Sequence, residues 1–256
     1  INIFICILMA GSLTANAGLL DDLANETAHM TVLDIVGIKL GMSPADVESA
    51  ILEHQASIKF ERKITNMQGV KSNRLTGSTK TKSDIISVGF WLPPADESSN
   101  YISRVKRYRK TQRPTIDATK EAFVGKYGLP SYQEEWPNTG DIYLVWIINK
   151  DMNKLSEVNK NNADVRACIK LGRNVAYMEW MDKDLSTIRE CKYTVLSAVL
   201  DIDKKLGAVE MITTSLVNYD DALSDYEKSL NEYKRMKQEK IEASKRSAEK
   251  VSKPKL

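Results

Sequence analysis

The spacing of apolar residues along the chain switches between two periods, and the switches mark its elements. Val36, Ile38, Leu40 and Met42 fall on every second position, the spacing of a half-buried strand. A helix is predicted next. Ser43 is placed to cap it, Pro44 suits its first position, and Asp46 stands three residues after the cap. Val47, Ala50, Ile51 and His54 then share one helical face. Strands are predicted at residues 58–64 and 85–92. In the second, Ile86, Val88, Phe90 and Leu92 alternate, and Pro93-Pro94 stops the pairing. Residues 66–83 are rich in Ser, Thr, Gly and Lys and read as a mobile loop.

Residues 101–110 read as another strand, and residues 115–127 as a second helix. Ile116, Thr119, Phe123 and Tyr127 form the inward stripe of that helix. Gly128 supplies its C-terminal cap, and Pro130 prevents continuation. Residues 142–148, Ile-Tyr-Leu-Val-Trp-Ile-Ile, form an unbroken apolar run short enough for a strand buried on both faces. Residues 149–163 read as a loop. Four strands are predicted at 164–171, 174–180, 191–202 and 208–217, the last two a hairpin turning at 203–207. A long helix starts near Asp220. Tyr219, Leu223, Tyr226, Leu230 and Tyr233 make its seam, acids open it, and Lys and Arg accumulate toward its end.

Strands dominate the middle of the chain without regular βαβ alternation. The expected class is therefore α+β: antiparallel sheet with helices packed on one face, plus a long C-terminal helix. The expected organisation is a signal peptide at 1–17, an α+β module at 18–110, and a second module continuous with it at 111–218. The terminal helix, at 219–256, docks through its first half and frays beyond.

The N-terminal segment bears on location. Residues 1–10 are almost wholly apolar, and Ala15-Asn16-Ala17 offers an A-x-A cleavage site. The expectation is a secretory signal cleaved after Ala17, with the initiator and basic region lying upstream of Ile1. A membrane anchor is the competing reading, although the apolar run is well short of the ~20 residues that span a bilayer. Cys6 follows Ile5 rather than a small residue, which argues against lipidation. Export leaves Cys168 and Cys191, and in an oxidising compartment such a pair is expected to form a disulfide; two buried free thiols are the alternative.

Composition narrows the chemistry. At 42% hydrophobic residues and a net charge of +3, the chain has too much core material for a disordered protein. There is no Walker loop, G-x-G-x-x-G or G-x-S-x-G, and no Cys/His cluster, so no cofactor, metal or catalytic residue is expected. Of the two histidines, His29 lies in a polar lead-in and His54 on an apolar helix face, where a packed residue is the commoner outcome. Acids such as Glu134, Glu135, Asp201 and Asp203 leave a carboxylate hydrolase open in principle. The strand at 101–110 is the more informative feature. Arg104, Lys106, Arg107, Arg109, Lys110 and Arg113 carry six cations with no acid among them, interleaved with Tyr101 and Tyr108. Arg104, Lys106, Arg107, Tyr108 and Arg109 are the candidate binding residues for an anionic partner. The alternative is an edge strand that uses charge to repel other edges. The tail from Lys240 to Leu256 has six cations against two acids, so the rest of the chain is close to neutral.

Two stretches carry a family resemblance. Residues 34–47, Asp-Ile-Val-Gly-Ile-Lys-Leu-Gly-Met-Ser-Pro-Ala-Asp-Val, resemble the helix start of SmpA/OmlA-like and β-lactamase-inhibitor-like modules. Lys126-Tyr127-Gly128-Leu129-Pro130 resembles a helix exit of uncharacterised secreted bacterial proteins. The resemblance implies small secreted α+β domains whose usual role is to bind another protein. The expected function is a secreted or periplasmic, non-enzymatic protein-binding module of the bacterial envelope, inhibitor-like or immunity-like. Its partner is another protein, without nucleic acid and without a membrane span once the signal is removed. The alternatives are a periplasmic hydrolase using cleft carboxylates, or a structural envelope component docking through its terminal helix.

Overall fold

The computed structural model describes residues 33–67, 70–92, 104–155, 158, 161–173 and 185–251. The signal segment, His29 and the strand expected at 174–180 lie outside the described residues.

Local chemistry sets the two expected helices where the sequence puts them. Helix α1, Pro44–His54, begins with the Ser43 hydroxyl accepting the Asp46 N–H at 3.2 Å. Helix α2, Ile116–Tyr127, begins with Thr115 accepting the Ala118 N–H at 3.2 Å and ends at Gly128, φ 71°. Val47 and Ile51 of α1, and Thr119 and Tyr127 of α2, are buried.

Each helix is followed by four strands. After α1 come β1 (Lys59–Met67), β2 (Val70–Ser78), β3 (Asp84–Leu92) and β4 (Arg104–Lys110). After α2 come β5 (Tyr132–Glu135), β6 (Ile142–Ile148), β7 (Thr194–Asp203) and β8 (Ala208–Asn218). Together they form one antiparallel sheet of order β1-β2-β3-β4-β8-β7-β6-β5. The last strand of each half thus meets the other at a central seam, with Arg107 opposite Thr214.

Helices occupy both faces of this sheet rather than one. The apolar run of β6 shows why, since a strand with no polar side needs cover on both. Ile142, Leu144, Trp146 and Ile148 join the core beneath α1 and α2. Tyr143, Val145 and Ile147 join a second core on the opposite face. That core is completed by α3 (Ala163–Arg173), α4 (Leu185–Glu190) and the start of α5 (Tyr219–Val251). Cys168 in α3 is bonded to Cys191, just after α4, with Cα atoms 4.9 Å apart.

Four expectations are corrected. Residues 36–42 are not a strand: Ile35 and Ile38 close a tight turn over Val36 and Gly37, both at positive φ (51° and 81°). The loop expected at 66–83 contains β2, hydrogen-bonded on both sides by β1 and β3. Within it Gly77 is needed where Ile58 and Ile51 crowd the backbone; a Cβ there would stand 2.8 Å from Ile58. The strand expected at 164–171 is α3. Val165, Cys168, Ile169 and Gly172 are buried at helical spacing, and Asn162 accepts the Asp164 N–H at 3.1 Å near its start. Finally, α5 does not fray at Tyr233. It docks through Tyr219, Ala222, Tyr226 and Ser229 and continues as helix to Val251, exposed from Lys234 through Ala248. Along that stretch Arg235 pairs with Glu232 and Glu239. No helix among the described residues is long and apolar enough to cross a membrane.

Candidate functional site

The basic strand β4 is at the middle of the sheet, between β3 and β8. The edge-strand reading is therefore overturned. The edges are β1, with Lys59, Glu61, Arg62 and Lys63 exposed, and the four-residue β5.

Strand geometry divides the candidate residues between two faces. Arg104, Lys106 and Tyr108 point to the side of α5. Arg104 is buried across Gly89, and burial together with the charge of Arg74 pulls its guanidinium down to about 10. Lys106 stands opposite Ser87 and Ser215, and burial lowers its pKa. Arg107 and Arg109 point the other way, to the side of α1 and α2.

Arg107 is fixed there by Asp84, the first residue of β3. Its Nε donates to Asp84 Oδ1 at 2.9 Å and its Nη2 to Oδ2 at 2.5 Å. His54, the last residue of α1, places Nε2 at 3.0 Å from Arg107 Nη2 and 3.5 Å from Asp84 Oδ2. Burial pushes the Asp84 carboxyl up, but the hydrogen bonds and charges of Arg107 and His54 outweigh it and hold it below the usual carboxylate value. The three side chains line a polar cavity of about 280 Å³, together with Thr79, Ser83 and Arg109.

A second cavity adjoins it. A groove of about 340 Å³ runs between α2 and the β4–β8 seam, and it shares Arg107 and Arg109 with the first. Ala118, Ala122 and Phe123 of α2 form one wall, and Ile212 of β8 contributes to the floor. The Ile35–Val36 turn closes one end. That turn is clamped to α2. Asp34 Oδ1 accepts the Gly37 N–H at 2.7 Å and Lys126 Nζ at 3.1 Å, while the Tyr127 hydroxyl donates to the Asp34 carbonyl at 2.7 Å. The two stretches that carry the family resemblance are thus in direct contact. Burial works against the Lys126 charge, but Tyr127 and Asp34 outweigh it and raise its pKa. Trp146 supports the wall from below: it stacks on Phe123, centroids 5.9 Å apart, and its Nε1 donates to the Gly128 carbonyl at 2.9 Å.

Among the described residues no acid lines the groove. In the polar cavity the acid is Asp84, already held by Arg107. Arg109, exposed, makes no ion pair among the described residues. The combined site therefore offers apolar surface, hydroxyls and cations. It holds no nucleophile with an adjacent base, since His54 faces a guanidinium and a carboxylate.

The other acids are placed elsewhere. Glu134 pairs with Arg173, and Asp203 lies 3.7 Å from Arg113. Asp201 is pushed up to about 6 by burial, with Asp141 and Glu210 adding to the effect, but it lines none of the cavities described here. Sequence reading found Arg107 and Arg109 as part of a basic stripe. It missed Asp84, and it missed the Ala118–Ala122–Phe123 wall, whose signal is only a small-residue helix face.

No protein-family model matches the chain, and no curated protein or solved structure matches it.

Proposed function

We propose that the protein is an exported, non-enzymatic binding module of the bacterial cell envelope that grips another protein through the groove beside the central seam. One observation carries this reading: an open apolar groove whose polar lining is cations and hydroxyls, with no acid and no nucleophile–base pair among the described residues. A concave, mostly apolar cleft with a few convergent polar groups is a common form of binding site. Two further features support it. The Cys168–Cys191 bond suits an oxidising compartment such as the periplasm. The resemblance to secreted protein-binding modules points the same way.

The test is affinity capture from envelope extract with the full chain. The expected result is one stoichiometric partner, lost when Ala122→Trp fills the groove. Hydrolysis of substrates in a broad panel, abolished by Asp84→Asn, with no partner captured, would reverse the reading in favour of a carboxylate hydrolase.

A further inference from the structure

The two adjoining cavities differ in chemistry, and their difference describes an occupant. The groove is walled by Ala118, Ala122, Phe123 and Val36, with room for one large apolar side chain. The neighbouring cavity presents Thr79, Ser83, His54, Arg109 and Lys110, with Asp84 held back by Arg107. Arg107 and Arg109 stand at the junction. Asp84 takes Nε and Nη2 of the Arg107 guanidinium and His54 Nε2 stands 3.0 Å from the same Nη2, which leaves Nη1 for a further acceptor. Among the described residues Lys110, like Arg109, makes no ion pair.

We infer that the site reads an acidic–apolar segment of a partner protein: a large apolar side chain enters the groove, and a neighbouring Asp or Glu carboxylate enters the polar cavity. This rests on the protein-binding reading above and gives the partner its chemistry. The carboxylate takes charge-assisted hydrogen bonds from Arg109 and from Arg107 Nη1, with the Thr79 and Ser83 hydroxyls and Lys110 completing the cradle. The apolar side chain covers Phe123 and Ala122, which otherwise face water. A basic segment is rejected by the same cations, and a uniformly polar acid gains nothing from the groove, so selectivity needs both parts.

Val36 lines the groove from the clamped turn. A β-branched residue at φ 51° is rare, and it persists here because Asp34, Lys126 and Tyr127 over-determine the turn. The same clamp holds Val36 at the end of the groove.

The inference is tested with the full, disulfide-bonded chain and three fluorescein-labelled peptide probes. One sets Trp and Leu among Glu residues. The second replaces every Glu with Gln. The third keeps Glu and replaces Trp and Leu with Ala. Anisotropy is expected to show the first binding at least about tenfold more tightly than either of the others. Arg109→Glu and Ala122→Trp are each expected to weaken it by a similar factor, with melting temperatures unchanged because both positions are exposed. Equal binding of the three probes, binding insensitive to both variants, or no binding by any probe overturns the inference. Saturable binding of decanoate without binding of the first probe also overturns it, in favour of a free amphiphile. The two levels separate cleanly. If a partner is captured from extract equally well by wild type, Arg109→Glu and Ala122→Trp, this inference fails while the protein-binding reading survives. If no partner is captured and no probe binds, both fail.

Discussion

Removing Asp84 should both destabilise the protein and loosen the site. The side chains of Arg107 and Asp84 are only 13% and 11% exposed, and they are joined by two hydrogen bonds. Deleting one member of a buried ion pair leaves the other charge desolvated, at a cost of ~3–5 kcal/mol. The residual exposure places Asp84→Ala and Arg107→Ala at the lower end, about 3 kcal/mol each. Removing both should cost less than the sum, with a coupling of about 2 kcal/mol. The assay is urea unfolding of wild type, both single variants and the double variant, with the disulfide intact. The pH dependence has a definite sign. The Asp84 carboxyl sits below its unfolded value of 3.8, so its contribution is full above that value and is lost as pH falls through the lowered one. The coupling measured at pH 7 should therefore shrink as pH is taken below about 4. A coupling under about 0.5 kcal/mol at pH 7, or one that grows on acidification, refutes the reasoning.

Other consequences are open to direct measurement. Asp201 keeps its proton in the folded state up to about pH 6 but releases it near 3.8 when unfolded, so stability falls as pH rises through that window. Asp201→Asn should gain about 1 kcal/mol at pH 7.5, after allowance for its partial exposure, and nothing at pH 4. Leu75, 1% exposed on β2, should cost about 3 kcal/mol when changed to Ala, whereas Ile64→Ala on the edge strand, 55% exposed, should stay within about 0.5 kcal/mol; equal losses in urea would contradict the strand assignment. Replacing Cys168 and Cys191 by Ser should lower stability by about 3 kcal/mol, and non-reducing mass spectrometry should find neither Cys168 nor Cys191 as a free thiol in the wild type. Deleting residues 240–256 should leave the melting temperature within about 4 °C, because α5 buries nothing in the described part of that stretch.

The parts of the fold legible in sequence are those governed by neighbours along the chain. Ser43-Pro44 and Thr115 with Gly128 set helix ends through hydrogen bonds within a few residues. The apolar run of β6 and the hairpin of β7 and β8 are likewise local patterns. What escaped depends on contacts distant in sequence. β2 is held by pairing on both sides, and packing demands a glycine at position 77, neither of which a hydrophobic count registers. In α3, Val165, Ala167, Ile169 and Leu171 alternate by twos, which masks a helix whose buried face also includes Cys168 and Gly172. The same limit governs the site. The cations of β4 were visible, but strand order decides whether they form an edge or a centre, and strand order is not a local property. Arg107 acquires its role from Asp84, 23 positions earlier, and from His54, 53 positions earlier. The Lys126-Tyr127-Gly128 exit motif looked like a helix stop alone, yet its Lys and Tyr also clamp the turn that closes the groove.

The most direct test of the central claim is site-specific photocrosslinking in intact cells. A photoreactive phenylalanine analogue is placed at Ala122 in the groove wall and, separately, at Lys237 on the exposed part of α5. One discrete protein adduct is expected from position 122, abolished by Arg109→Glu, and none from position 237. An adduct from position 237 alone would contradict that claim and assign the partner surface to the terminal helix.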